Sequence, residues 1–375
     1  MKLRTIAIGV AACALAAPAT GMGAVAAVQD DRLPVVPISQ IEKRLDLAKA
    51  SGARVARVDL FWSDIAPTKP AKPRDPTDPA YRWERSDRII EGLLQRNIRP
   101  IVAVYSSPRW SSNRPTPRNL GFNPFFPKPA DFGAFMEALA RRYNGSTTPQ
   151  YGLYNRPLVV RHFEIWNECN LRRYCLPQFD AVRKPVSPQL YARLVRAAYP
   201  AIKRANRRAV VIAGATGPKS TTDKNGIGTM PWLIALRKSR AKFDVYSQHV
   251  YPAAPPLSLT KAVPSWGTLP RIIAEVDKIR RGMPIYITEA GYTTKFTKFR
   301  PKAKVTESQQ RTYLRQIFNL PLVRSKRFPV VVWFNLQDNV FWPGGLLREN
   351  LSKKPSHAAF RIIARRGTVP AALRP

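Results

Sequence analysis

Along most of the chain, short runs of apolar and β-branched residues alternate with stretches whose apolar positions recur every three or four residues. The first pattern is that of a buried strand and the second that of an amphipathic helix. Strand-like runs occupy 25–28, 54–60, 99–105, 159–166, 209–213, 243–250, 284–288 and 330–336, and helical periodicity is clearest over 39–50, 85–96, 131–143, 188–206, 269–280 and 307–319. Alternation of this kind predicts a parallel sheet wrapped by helices, and eight strands fit a closed (β/α)8 TIM barrel in a single domain. An open, doubly wound sheet is the architectural rival, but no G-x-G-x-x-G turn or phosphate-cradling loop follows an early strand. The long Pro-rich segments at 109–129, 169–188, 252–269, 293–306 and 337–352 mainly follow strands. In a barrel they would rise from the C-terminal face and wall a cleft there. A short tail, 369–375, is expected to be loosely ordered.

The chain begins with a short basic start, an apolar run and a small-residue exit at Ala17-Pro18-Ala19, the order of a secretory signal peptide. Residues 1–19 are therefore read as a leader and 20–375 as the barrel, with a buried first strand or short helix as the alternative. Cys13 loosely fits a lipid-attachment box, which would anchor the protein instead of releasing it. No later stretch reaches the 18 or more uninterrupted apolar residues of a membrane span, so a soluble, secreted monomer is expected. Cys169 and Cys175 are then the remaining cysteines, close enough in sequence for a disulfide loop in an oxidising compartment. The three histidines, His162, His249 and His357, form no zinc-like cluster with them in sequence, so neither metal nor cofactor is expected.

Charge changes the picture further. The chain carries 62 Lys and Arg against 24 Asp and Glu, a formal net charge of +38, and such a field attracts polyanions. The basic residues are spread along the whole chain, without the compact tract or interleaved aromatics of a nucleic-acid module. The readings left are a solvated basic surface or an affinity for acidic polysaccharide or the cell wall, not a specific nucleic acid.

Two carboxylates stand out. Phe163-Glu164-Ile165-Trp166-Asn167-Glu168 puts Glu168 at the exit of the fourth strand, and Ile285-Tyr286-Ile287-Thr288-Glu289 puts Glu289 at the exit of the seventh. Carboxyl groups facing each other across a barrel mouth suit cleavage of a glycosidic bond, one protonating the leaving oxygen while the other attacks the anomeric carbon. Strict alternation would point Asn167 away from Glu168, so a break in the pleat is expected at that strand end. Glu164 shares the parity of Glu168 and should lie one layer deeper, as a supporting carboxylate.

With Trp166-Asn167-Glu168 and Thr288-Glu289-Ala290-Gly291, the sequence resembles the glycoside hydrolases of clan A, a barrel superfamily of retaining enzymes including cellulases, β-xylosidases and α-L-iduronidases. The resemblance runs from Asp59 to about Ala364. It implies that Glu168 is the acid/base, Glu289 the nucleophile and Asn167 the amide that binds the sugar 2-hydroxyl. It further implies that Arg57 holds the nucleophile ionised, that Tyr251 hydrogen-bonds it, that His249 lines the sugar site and that Trp333, extended by Trp110, forms an aromatic floor. Where many relatives carry proline after the acid/base, this chain has Cys169, and neither a carbohydrate-binding module nor a β-sandwich is expected beside the barrel. The expected activity is double displacement on an oligo- or polysaccharide; the alternative is a non-catalytic barrel that binds acidic glycans.

Overall fold

The computed structural model describes residues 23–146, 148, 157–258, 260, 262–297, 304–367 and 369–373; the expected leader and Cys13 lie outside these residues. Eight parallel strands close into a barrel in chain order: β1 (Val25–Gln29), β2 (Val55–Phe61), β3 (Arg99–Tyr105), β4 (His162–Ile165), β5 (Val210–Thr216), β6 (Val245–Val250), β7 (Ile285–Ala290) and β8 (Val330–Phe334). Five residue pairs join β1 to β8 and shut the barrel. A longer helix follows each strand: α1 (Ile41–Ala50), α2 (Glu84–Gln95), α3 (Pro129–Arg142), α4 (Ser187–Ala205), α5 (Thr229–Lys238), α6 (Leu269–Asp277), α7 (Glu307–Asn319) and α8 (Pro355–Arg366). The architecture is the (β/α)8 barrel in one domain. No helix among the described residues is long and apolar enough to cross a membrane.

Period-two alternation divides the apolar residues into two clusters. Val25 and Ala27, Val55, Ile101, Ile212, Val245, Tyr286, Val330 and Val332 fill the barrel interior. Their strand neighbours, such as Val28, Val58, Val102, Phe163, Ile287 and Trp333, pack outward under the helices. Of the tail, residues 369–373 are described: a turn at Ala371–Leu373 places Leu373, 2% exposed, in the interior cluster. An apolar residue there shields the strand starts from water.

α5 and α8 escaped the periodicity reading. Thr229, Trp232, Leu233 and Leu236 of α5 do share a face, but the helix is short and Pro231 sits in its first turn. α8 opens on Pro355 and buries Ser356 and His357 alongside Phe360, so polar residues interrupt its apolar stripe. Proline is tolerated in both because the first-turn N–H groups have no intrahelical acceptor.

Candidate active site

The interior is apolar at the strand starts and polar at the strand ends. Gln29 of β1, Arg57 and Asp59 of β2, Tyr105 of β3, Glu164 of β4 and His249 of β6 are all buried. Two local irregularities then bring in the residues that alternation alone would misplace. β4 ends at Ile165, and Trp166 (φ 63°) and Glu168 (φ 41°) adopt left-handed backbone conformations. Trp166 turns out to pack against Phe132, while Asn167 and Glu168 both remain at the barrel mouth. In β7 the register against β6 slips by one residue, so that His249 pairs with Glu289 and Thr288 is the extra residue. Such a bulge re-aims the side chain that follows it.

Arg57, wholly buried, is the centre of the site. Its Nε donates to Glu164 at 2.6 Å, and its two Nη groups donate to Gln29 at 2.7 Å, Asp59 at 3.1 Å, Glu289 at 2.8 Å and Asn167 at 2.8 Å. Burial works against this charge, but the carboxylates of Glu164, Asp59 and Glu289 outweigh it and hold the guanidinium protonated. Asn167 accepts through Oδ1 and so keeps its NH2 as a donor. Tyr251 donates its hydroxyl to the other Glu289 oxygen at 2.6 Å. Burial nevertheless pushes the Glu289 carboxyl up to about 7; His249 and Arg57 pull it down, and Glu168 and Asp59 push it further up.

Glu168 is fixed by its own set of contacts. Its backbone N–H donates to the Ala215 carbonyl at 2.8 Å, tying the end of β4 to β5. Its Oε1 lies 2.8 Å from His249 Nδ1, which is also 3.4 Å from Glu289 Oε2. Burial lowers the His249 pKa, against the pull of Glu289, Glu164 and Asp59, and so favours the neutral ring. Because Nε2 is buried without a partner, we place the single ring proton on Nδ1, donated to Glu168. Gly217 makes room for the carboxylate: a Cβ there would stand 2.9 Å from Glu168 Cδ. Asn170 holds Gly217 through both backbone groups, at 2.7 and 2.9 Å. Cys169 and Cys175 form a disulfide that closes the loop beside Glu168, and Gln178 donates to both cysteine carbonyls.

The aromatic residues differ from the sequence reading. Trp333 is completely buried, on the outward face of β8, and donates Nε1 to the Gly344 carbonyl, so it cannot form a sugar floor. The reason is parity: Val330, Val332 and Phe334 face inward, and Trp333 does not. Half-buried Phe334 is the inward ring, 6.2 Å from Tyr251 and 6.1 Å from Trp342, which itself lies 4.4 Å from Tyr251. Trp110 packs edge-on against Trp62 at 5.4 Å and donates Nε1 to Ala66, which anchors it to the loop after β2. Glu168, Glu289, Asn167, Arg57, His249 and Tyr251 are brought together; Trp333 and Trp110 are not. Sequence reading missed Gln29 and Tyr105, which donate to Asp59 Oδ2 at 3.2 and 3.1 Å. Their signal was a polar residue at the last position of β1 and of β3.

Glu168, His249 and Glu289 present ligand atoms within 4.8 Å of one another, a donor set that a divalent cation could use. The Arg57 guanidinium, 2.8 Å from Glu289, already supplies a fixed positive charge there, which disfavours a second cation.

No protein-family model matches the sequence, and no curated protein matches it. Solved structures do. A family 39 glycoside hydrolase from Bacteroides cellulosilyticus WH2 aligns at TM-score 0.61 and 21% identity, over 92% of this chain and 64% of its own. A glucosidase from Croceicoccus marinus aligns at 0.64 and 16%, over 92% and 68%. A family 5 protein from Streptomyces cattleya, solved with GlcNAc, aligns at 0.59 and 14%, over 92% and 80%. The chain thus spans just under two thirds of the first of these. At such identities the likeness is one of fold: the chain shares the (β/α)8 barrel with these solved structures.

Proposed function

We propose that the protein is a secreted, retaining glycoside hydrolase acting on anionic poly- or oligosaccharides. The observation that carries the mechanism is the close approach of the Glu168 and Glu289 carboxyl oxygens, within 4.8 Å, at the ends of β4 and β7. Retaining enzymes keep their carboxyl groups about 5–5.5 Å apart, whereas inversion needs roughly 6.5–9.5 Å to seat a water.

In the first step Glu289 attacks the anomeric carbon as Glu168 gives its proton to the leaving oxygen, forming a glycosyl ester and a free alcohol. In the second, Glu168 takes a proton from water, and the hydroxide oxygen displaces Glu289, so the sugar leaves with its configuration retained. His249 donates to Oε1 of Glu168 and holds the carboxyl in place for the proton transfer. Arg57 and Tyr251 offset the negative charge that returns to Glu289 when the ester breaks. The Asn167 amide, held at Oδ1, offers its NH2 to the 2-hydroxyl, a contact that strengthens in the transition state.

Two features support anionic substrates and secretion. A groove of 400 Å³ between the loops after β2 and β3 is rimmed by exposed Arg109 and Arg118. The disulfide suits an oxidising compartment.

The test is sugar release from a panel of neutral and acidic polysaccharides by the mature protein and by Glu289→Gln, with the anomer of the first product read by NMR. Release lost in the variant, with retained configuration, is the expected result. An inverted product refutes the double displacement. Binding without release by either protein supports the glycan-binding alternative.

A further inference from the structure

A second charged surface lies at the opposite end of the barrel. Two grooves, of 590 and 790 Å³, adjoin through Tyr199, Arg240 and Lys242. They are built from the end of α4 and from the connections that lead into β5, β6 and β7, at the strand starts. Strands of six or seven residues separate that face from the Glu168–Glu289 mouth by roughly 20 Å.

Cations dominate the lining, and many of them have no acid to neutralise them. Arg196, Arg207, Lys238, Arg240, Lys242 and Arg280 are all exposed, and none has an ion-pair partner among the described residues. The nearby carboxylates are already engaged. Asp244 accepts from Lys203 at 2.7 Å and from the Val211 backbone at 2.8 Å. Glu275 is shared by Arg237 and Lys278, and Glu137 by Arg141 and Arg204. Clustering so many like charges is unfavourable in the free protein, and an anionic ligand relieves it. In sequence these residues lie between 196 and 280, partly in short basic runs at 203–208 and 237–242; the barrel gathers them because β5, β6 and β7 are neighbours.

We infer that this face is a binding surface for a linear polyanionic polysaccharide, separate from the catalytic mouth. Two adjoining grooves suit an extended chain better than a small anion. Tyr199 is the one aromatic shared by both grooves, and Lys203 lies 5.4 Å over its ring. That is too little stacking surface for a single-stranded nucleic acid, which is typically held by successive aromatics. Carboxylate and sulfate groups offer the same chemistry to the exposed guanidinium groups.

The experiment uses the full mature chain and two probes, polygalacturonate for carboxylate and heparin for sulfate, with affinity measured across a salt series. Arg207→Gln, Arg240→Gln and Lys242→Gln are combined in one variant, since none of these side chains makes a polar contact among the described residues. Arg361→Gln, Arg365→Gln and Arg366→Gln on α8 remove equal charge elsewhere, and Arg109→Gln with Arg118→Gln reports on the mouth. The groove variant is expected to weaken binding about tenfold or more and to flatten the salt dependence, as fewer counterions are released. The α8 variant should stay within about twofold of the parent, the sequence-independent term depending on local contacts, and the mouth variant, which removes the rim proposed to meet substrate, should lose less than the groove variant. Equal loss in the α8 variant, loss confined to the mouth variant, no loss in the groove variant, or tighter binding to duplex DNA than to either polysaccharide would each overturn the inference.

Discussion

Replacing Glu289 by glutamine should make the protein more stable, and increasingly so as pH rises. Burial lifts the carboxyl from 4.5 to about 7 in the folded state. A group whose folded pKa lies above its unfolded value contributes stability that is complete below the unfolded pKa and is lost as pH rises through the folded one. At pH 8 the folded protein therefore bears a cost of about 3 kcal/mol that the unfolded chain does not, falling to under about 1 kcal/mol at pH 5. Glutamine carries no charge to desolvate, yet its carbonyl can accept from Arg57 and its amide can donate to the Tyr251 oxygen, so the packing survives. For a chain of this length, 3 kcal/mol corresponds to a Tm difference of about 4 °C. Thermal unfolding of both proteins at pH 5 and pH 8 measures it, and the shared loss of other carboxylates on acidification cancels in the difference. A gap of the same size at both pH values, or a glutamine variant that melts lower at pH 8, would falsify the claim that a buried charge at Glu289 is held at the expense of the fold.

Three further outcomes follow from contacts in the site. Tyr251→Phe removes a hydroxyl donated to the Glu289 carboxylate, a charge-assisted bond worth about 1.5–3 kcal/mol; the acidic limb of kcat/KM, expected near pH 7 in the parent from the Glu289 carboxyl, should move up by about 1 to 2 pH units, and an unmoved limb refutes the assignment. Gly217→Ala places a methyl 2.9 Å from Glu168 Cδ, so kcat should fall on substrates with poor leaving groups and change little on activated aryl glycosides, which need less acid assistance; equal losses on both would mean that the loop, not the acid, is disturbed. Trp333→Ala should cost about 3–5 kcal/mol of stability, as large core deletions do, whereas Phe334→Ala should mainly raise KM. Chemical denaturation and steady-state kinetics on both variants separate the two roles, and the reverse pattern would restore Trp333 to the cleft.

The barrel was legible because eight apolar runs alternate with helical stretches, and because Pro-rich segments fall after the strands, not before them. The two carboxylates were legible because each closes an apolar run, where a charge is conspicuous. The break at the end of β4 was expected, because Asn167 and Glu168 could not otherwise share the mouth, but the form it takes was not. Nothing in Trp166-Asn167-Glu168 announces left-handed backbone at two non-glycine residues, a conformation that surrounding structure must enforce. Here the Ala215 carbonyl does so, together with Tyr191, which donates to the Ile165 carbonyl. The Thr288 bulge is equally silent, since it depends on register against β6. The Trp333 assignment failed differently. The parity of Val330, Val332 and Phe334 was readable and pointed to the phenylalanine, but the resemblance, which implies a tryptophan on that strand, drew the role to Trp333. The basic grooves were hidden by sequence distance.

The protein carries two sets of charges, and distance keeps them apart. Inside the barrel, Arg57 lies within 3.1 Å of Glu164, Asp59 and Glu289. At that range, and without intervening water, the interaction is strong and weakly screened. On the surface, the excess that gives +38 acts through solvent, where the Debye length is about 8 Å at physiological salt. The grooves at the strand starts lie roughly 20 Å of strand away from Glu289, beyond that length. Salt should therefore act on one system and spare the other. Raising ionic strength is expected to release bound polyanion steeply while leaving the acidic limb of the pH–rate profile on a small neutral glycoside in place. If the limb moved with salt as strongly as polyanion binding did, the surface charge would be tuning Glu289. The Arg57 network could then no longer be the sole reason that a carboxylate buried to this depth retains a titration near neutrality.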